Sequence, residues 1–199
     1  MRKIIFVTGN PHKVKEATDI MSPLGIKIEQ NNCGYPELQE DTLEAIAGFG
    51  ARWAANKLNC EVMVDDSGIF IDALSGFPGP YSAYVARTIG NGRILKLLEG
   101  EMNRRAFLKC AIGYCRPGEE PVVFSGDVIG KIAENIRGKL GFGYDPIFEV
   151  GGLTFGEMAD EEKNRLSHRY RALAEFARWL KEHDRIKSLN KKPTTLITI

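Results

Sequence analysis

Lys3 to Val7 (KIIFV) form a short apolar run that stops at Thr-Gly-Asn-Pro, after which Val14, Ala17, Ile20 and Met21 recur at helical spacing up to Gly25. The spacing predicts a strand, a loop and a helix. Ile26 and Ile28 then alternate with polar residues as a second strand, and NNCGYPELQE reads as loop. Asp41 or Thr42 suits a helix cap, followed by an apolar stripe of Leu43, Ile46, Ala47, Trp53, Ala54 and Leu58. A third strand begins over Glu61 to Val64 and is expected to close at Asp65-Asp66. The first third is thus β-α-β-α-β, the signature of a sheet covered by helices.

The pattern changes in the middle of the chain. Ile69 and Ile71 alternate briefly, SGFPGPYSA is too rich in Gly and Pro for regular structure, and a short helix runs through Ile94, Leu95 and Leu98. Arg105 to Tyr114 and Val122 to Ile132 read as two strands joined by Arg-Pro-Gly-Glu-Glu-Pro, an antiparallel hairpin. Near the end, GKLGFGYDP is a glycine-rich loop, and Ser167 precedes a helix with Leu173, Phe176, Ala177 and Leu180 on one face. From Asp184 onward no helical stripe is visible; a late strand, a cloning remnant and a disordered end fit equally. Residues 1–183 are therefore expected to form one two-lobed domain, with 184–199 as a separate tail.

Composition narrows the function classes. A chain of 199 residues with 43% hydrophobic and 27% charged residues fits one soluble globular domain. The 27 basic residues are balanced by 26 acidic ones, so no global field favours nucleic acid or an anionic membrane. No segment approaches the ~18 apolar residues of a membrane span, and the first ten residues lack a signal-peptide pattern, so a cytoplasmic protein is expected. Cys33, Cys60, Cys110 and Cys115 form no C-x-x-C pair and read as reduced thiols, mostly in the core.

Four polar clusters fall at the ends of these elements, where backbone is free to meet a ligand. Thr8, Gly9, Asn10, Pro11, His12 and Lys13 join a strand to a helix, whose N-terminal N–H groups and nearby lysine suit phosphate; equally, Asn10 suits a plain helix cap. Glu37 and Glu40, with Asp65-Asp66, offer carboxylates of the kind that hold Mg²⁺. Adjacent strand residues face opposite ways, so only one of Asp65 and Asp66 is expected to serve the site while the strand persists. Phe142, Gly143, Tyr144 and Asp145 place aromatic faces beside a carboxylate, suited to a base. Lys163, Ser167, His168 and Arg169 form the fourth cluster. Together these groups point to a nucleotide and a metal.

The same clusters, in the same order, resemble the inosine triphosphate pyrophosphatase family: FVTGNPHKVKE, VDDSGIFIDALSGFPGPYSA, GFGYDPIF and EEKNRLSHRYRAL. The resemblance spans residues 4 to about 180. It implies an α/β fold with a long mixed central sheet flanked by helices, two lobes and a deep nucleotide-binding cleft. It further implies a homodimer and Mg²⁺-dependent hydrolysis of ITP, dITP and XTP to the monophosphate and pyrophosphate. By the same resemblance Thr8 to Lys13 bind the triphosphate, Glu37 and Asp66 hold metal, and Asp66 is the catalytic proton acceptor with Ser67 beside it. Phe142 to Asp145, Lys163, His168 and Arg169 complete the substrate pocket. A pyrophosphatase for modified pyrimidine or methylated nucleotides and a nucleotide sensor without catalysis are the rival readings.

Overall fold

The computed structural model describes residues 2–36 and 38–190, with side-chain surroundings through residue 183. Strands β1 (Arg2–Val7) and β2 (Ile26–Asn31) flank helix α1 (Pro11–Met21), and helix α2 (Leu43–Leu58) leads into β3 (Val62–Ile71). Helices α3 (Ser82–Thr88) and α4 (Gly90–Leu97) precede the hairpin of β4 (Arg105–Cys115) and β5 (Val122–Ile132). The short strands β6 (Phe148–Val150) and β7 (Leu153–Thr154) are followed by α5 (Asp160–Leu166) and α6 (His168–Asn190).

The strands form one open seven-stranded sheet in the order β2-β1-β3-β4-β5-β6-β7. β1 runs parallel to β2 and β3, whereas every pairing from β3 to β7 is antiparallel. The expected α/β architecture with a mixed sheet is therefore observed. β1 meets β3 only at Ile5↔Val62 and Phe6↔Met63, and β1 then stops at Val7. Beyond Met63, β3 continues beside β4 up to Ile71↔Ala106, with its other edge no longer covered by β1. A crevice is thereby left at the C-terminal end of a parallel strand, where ligands bind in open α/β sheets.

Helices cover both faces. Met63, Cys110, Ile112 and Tyr114 pack with Ala172, Leu173, Phe176 and Leu180 of α6 and with Ala17 and Met21 of α1. On the opposite face Val62, Val64, Ala111 and Cys115 pack with Leu43, Ala47, Ala51 and Ala54 of α2. A third cluster, including Ile69, Ile71, Leu108, Val128, Phe148 and Phe155, fills the antiparallel half. The first turn of α6 lies directly on β5 because Gly126 has no side chain: a Cβ there would stand 2.4 Å from the His168 carbonyl oxygen. That close seating points His168 and Arg169 toward β3.

Three expectations are corrected. The third strand does not close at Asp65-Asp66 but runs through Asp-Asp-Ser-Gly to Ile71, because β4 supplies a ladder partner for every one of these residues. The charged segment before Ser167 forms a helix of its own, α5, which carries Lys163. Residues 184–190 continue α6 instead of beginning a separate tail; 191–199 lie outside the described residues. The four cysteines are free, with Cys110 and Cys115 buried on opposite faces, as their parity implied.

Candidate active site

At the open edge of β3 the chain gathers three carboxylates and three cations. Asp65 is completely enclosed: Lys13 Nζ stands 2.5 Å from Oδ1, Arg169 Nε donates to Oδ2 at 2.6 Å, and Ser67 Oγ donates to Oδ1 at 2.8 Å. The Cys110 thiol also donates to Oδ2, at 3.2 Å. Glu16, one turn into α1, accepts from Arg169 and from Lys163 Nζ (2.9 Å). Lys163 Nζ also donates to Asp145 Oδ2 at 2.8 Å, and the Phe142 N–H reaches the same oxygen at 2.6 Å. Glu16, Asp65, Asp145, Lys163 and Arg169 are all buried, so each charge depends on its neighbours for solvation.

Electrostatics separate these groups. Burial alone would raise the Asp65 carboxyl, but Arg169 and Lys13 outweigh it and hold it well below the usual carboxylate range. Glu16 is likewise lowered, because Arg169 and Lys163 overcome its burial. Asp145 goes the other way: burial raises its pKa, and Lys163 offsets this only in part. Burial and the adjacent Arg169 push His168 well below its ordinary value, so the imidazole is neutral. Its Nδ1 is buried with no hydrogen-bond partner among the described residues.

Next to this cluster is a cavity of about 250 Å³ whose lining includes Asn10, Lys13, Asp66, Ser67, Phe142, Tyr144, Asp145 and His168. Asp66 also borders a second cavity, of about 330 Å³, which Glu40, Tyr35 and Tyr81 line. Strand alternation explains the division: Asp65 lies with α1 and α6, and Asp66 stands at the junction of the two cavities. The larger groove, about 880 Å³, between α1, α5 and α6 is a shallow surface feature away from these groups.

The structure brings most of the residues named from the sequence to one place. Asn10 caps α1 by accepting from the His12 and Lys13 N–H groups at 2.9 and 3.4 Å, and the Asn10 N–H donates to Thr8 Oγ1 at 3.1 Å. Pro11 occupies the first turn, where its missing N–H costs nothing. Gly9 lies beside Asn32, and the exposed His12 ring stacks on Phe142 with centroids 5.2 Å apart. Gly143 accepts from Asn91 at 2.9 Å through its carbonyl. Lys163 sits among Glu16, Asp145 and the Phe142 ring, 4.7 Å from its centroid. Arg169 directs Nε, Nη1 and Nη2 to Asp65, Glu16 and Ser67. Glu37 lies outside the described residues.

Sequence reasoning missed Glu16 and Ser82. Glu16 borders the apolar stripe of α1 but pairs with Lys163 and Arg169, some 150 positions away, so its spacing carried no signal. Ser82 was read only as part of a loop; its hydroxyl is buried and bonded to β3.

An open α/β sheet whose crevice holds a buried ion cluster, an aromatic loop and a carboxylate on the free strand edge has the form of a ligand-binding α/β protein. The chain belongs to the Ham1 family, whose sequence profile matches residues 4–179. It is 62% identical over 179 residues to the dITP/XTP pyrophosphatase of Methanosarcina mazei, covering 90% of this chain and 97% of that one. It is 54% identical over 183 residues to the dITP/XTP pyrophosphatase of Thermococcus kodakarensis, covering 91% and 98%. Among solved structures, the Staphylococcus aureus Ham1 protein superposes with a TM-score of 0.80 at 30% identity, over 92% of this chain and all of that one.

Proposed function

We propose that this protein hydrolyses non-standard purine nucleoside triphosphates, namely dITP, ITP and XTP, to the monophosphate and pyrophosphate. Its relatives named dITP/XTP pyrophosphatase support this reading. The structural observation that carries it is a single cavity that Lys13 and Asp66 line together with Phe142, Asp145 and His168. The base sits beside Phe142 and Asp145, and the triphosphate runs past Lys13 toward Asp66.

Base selection follows from the donors and acceptors left for a ligand. Hypoxanthine and xanthine carry a proton on N1 and an oxygen at position 6, where adenine carries neither. Asp145 is fixed by Lys163 and Phe142 as an acceptor for the N1 proton. Neutral His168 lines the same cavity, whereas Arg169 is held by Asp65, Glu16 and Ser67. An unmatched buried polar group costs roughly 1–3 kcal/mol, enough to exclude adenine.

Asp66 orients a water in line with the α-phosphorus and takes its proton as the oxygen attacks. The bond to the bridging oxygen breaks, and that oxygen leaves on pyrophosphate, with the Lys13 ammonium balancing the charge. A divalent cation fits the donor chemistry, since Asp66 and Glu40 offer hard oxygen ligands to one cavity. Mg²⁺ keeps several waters and shares substrate phosphates, so it needs few protein carboxylates. When bound, the ion supplies charge neutralisation and a more acidic water. Asp66 with Glu37 or Glu40 would hold it. No helix among the described residues is long and apolar enough to cross a membrane, and we place the enzyme in the cytoplasm as a homodimer.

The test is a panel of dITP, ITP, XTP, ATP and GTP assayed for pyrophosphate with and without Mg²⁺. Fast release from the first three, dependent on Mg²⁺, is expected. Release of single phosphates, or equal rates on ATP and dITP, would refute the proposal.

A further inference from the structure

Where β3 outruns β1, its free edge needs other partners, and one is unusually well built. The Ile69 N–H donates to Ser82 Oγ at 2.8 Å, and the same hydroxyl donates to the Gly79 carbonyl at 2.6 Å. The Tyr144 hydroxyl then donates to the Ser82 carbonyl at 2.9 Å. Ile69, Ser82 and Tyr144 are all buried. Gly68 permits this seating, since a Cβ there would stand 2.3 Å from the Gly79 oxygen. A continuous hydrogen-bonded strap therefore runs from the base loop, through the first residue of α3, to the strand three residues beyond Asp66. Gly68, Ile69, Ser82 and Tyr144 all line the same cavity as Asp66.

We infer that Ser82 and Tyr144 are positioning residues that tie the seating of the base to the placement of Asp66. This rests on the hydrolytic reading of the site. The Tyr144 hydroxyl already has its acceptor in Ser82, so its role is exerted through the strap. Pinning Ile69 holds the free edge of β3, and with it the direction of the Asp66 carboxylate. Displacing a reacting group by roughly 1 Å costs about a hundredfold in rate, so even partial loss of the pin is measurable.

Tyr144→Phe removes one oxygen and keeps the ring in its apolar cluster with Ile69 and Val85. With dITP, kcat should fall about tenfold, a partial displacement on that scale, while the dissociation constant of the monophosphate product stays within about twofold. Ser82→Ala, which keeps the carbonyl but breaks the link to Ile69, should lower kcat at least as much. In that background Tyr144→Phe should add less than about twofold, because the strap is already cut. Amide hydrogen exchange in the folded variants should quicken at residues 66–69 in both. A wild-type protein that releases no pyrophosphate from dITP would overturn the functional reading. An active wild type with unchanged kcat in both variants, or with fully additive losses, would overturn the strap alone.

Discussion

Asp65 and Asp66 are chemically identical neighbours on one strand, yet the fold gives them opposite environments. Asp65 is sealed between Lys13, Arg169, Ser67 and Cys110 and is held ionised far below the usual carboxylate range by those cations against its own burial. Asp66, one residue on, borders both cavities. The pair shows how strand alternation divides surroundings: one carboxylate anchors the cations that shape the site, and the other faces the cavities where the proposed chemistry would take place. Asp65 is in this sense the residue that makes the position of Lys13 and Arg169 affordable.

The largest effect should come from cutting the sealed side. Asp65→Asn removes the charge that faces both Lys13 and Arg169, and breaking such a buried network typically costs about 3–5 kcal/mol. Denaturant unfolding should show that loss. A change under about 1 kcal/mol would mean that Asp65 is not the anchor described here.

Asp66→Asn should reverse the pattern. Its melting temperature should stay near wild type, while kcat for dITP drops on the order of a hundredfold or more and KM changes little. Were Asp66→Asn unstable and Asp65→Asn active, the two roles would have to be exchanged.

A smaller effect, in pH dependence, sharpens the comparison from the α6 side. His168 has a folded pKa well below its ordinary value because of burial and Arg169, so the unfolded chain binds the extra proton first. Its stabilising contribution is complete above the unfolded value of about 6.5 and is lost as pH falls, by about 1.4 kcal/mol per pH unit below it. His168→Gln should flatten the stability profile between about pH 6.5 and 5. Asp65 and Glu16, also depressed, enter only below their unfolded values of about 4, whereas Asp145, raised, acts with the opposite sign and above its unfolded value. An equally steep profile in the His168→Gln protein would remove His168 from this account.

The smallest effect should be at Lys15, on the exposed side of α1. Its ion pair with Asp160 is exposed on both sides. Lys15→Ala should leave denaturant unfolding nearly unchanged, and 0.5 M salt should erase any difference, because surface pairs are screened. A loss comparable to that of Asp65→Asn would show that burial is not what separates the two kinds of ion pair.

Much of the framework was legible in the chain. The apolar run of β1, the stripes of α1 and α2, and the paired strands of β4 and β5 follow from side-chain periodicity, and Asn10 and Thr42 cap their helices by local hydrogen bonds. The misreadings share a cause. Asp-Asp-Ser-Gly has the local chemistry of a turn, and it stays extended because β4 pairs with its backbone while Lys13 and Arg169 compensate its charge. Residues 184–190 show no apolar stripe, and they are helical nonetheless as a continuation of α6, since extending a formed helix is easier than nucleating one.

Which residue types serve the site, and the order in which they come, was written in four short segments, because strand ends, caps and aromatic loops depend on neighbours a few positions apart. What each of them touches was not. Glu16 meets Lys163 and Arg169, Asp65 meets Lys13 and Arg169, and Ser82 meets Ile69 and Tyr144 only after the sheet, α1, α5 and α6 have packed. Burial then sets the charge state of each group, since a carboxylate or imidazole removed from water takes its pKa from the charges beside it, and those are brought together by the fold.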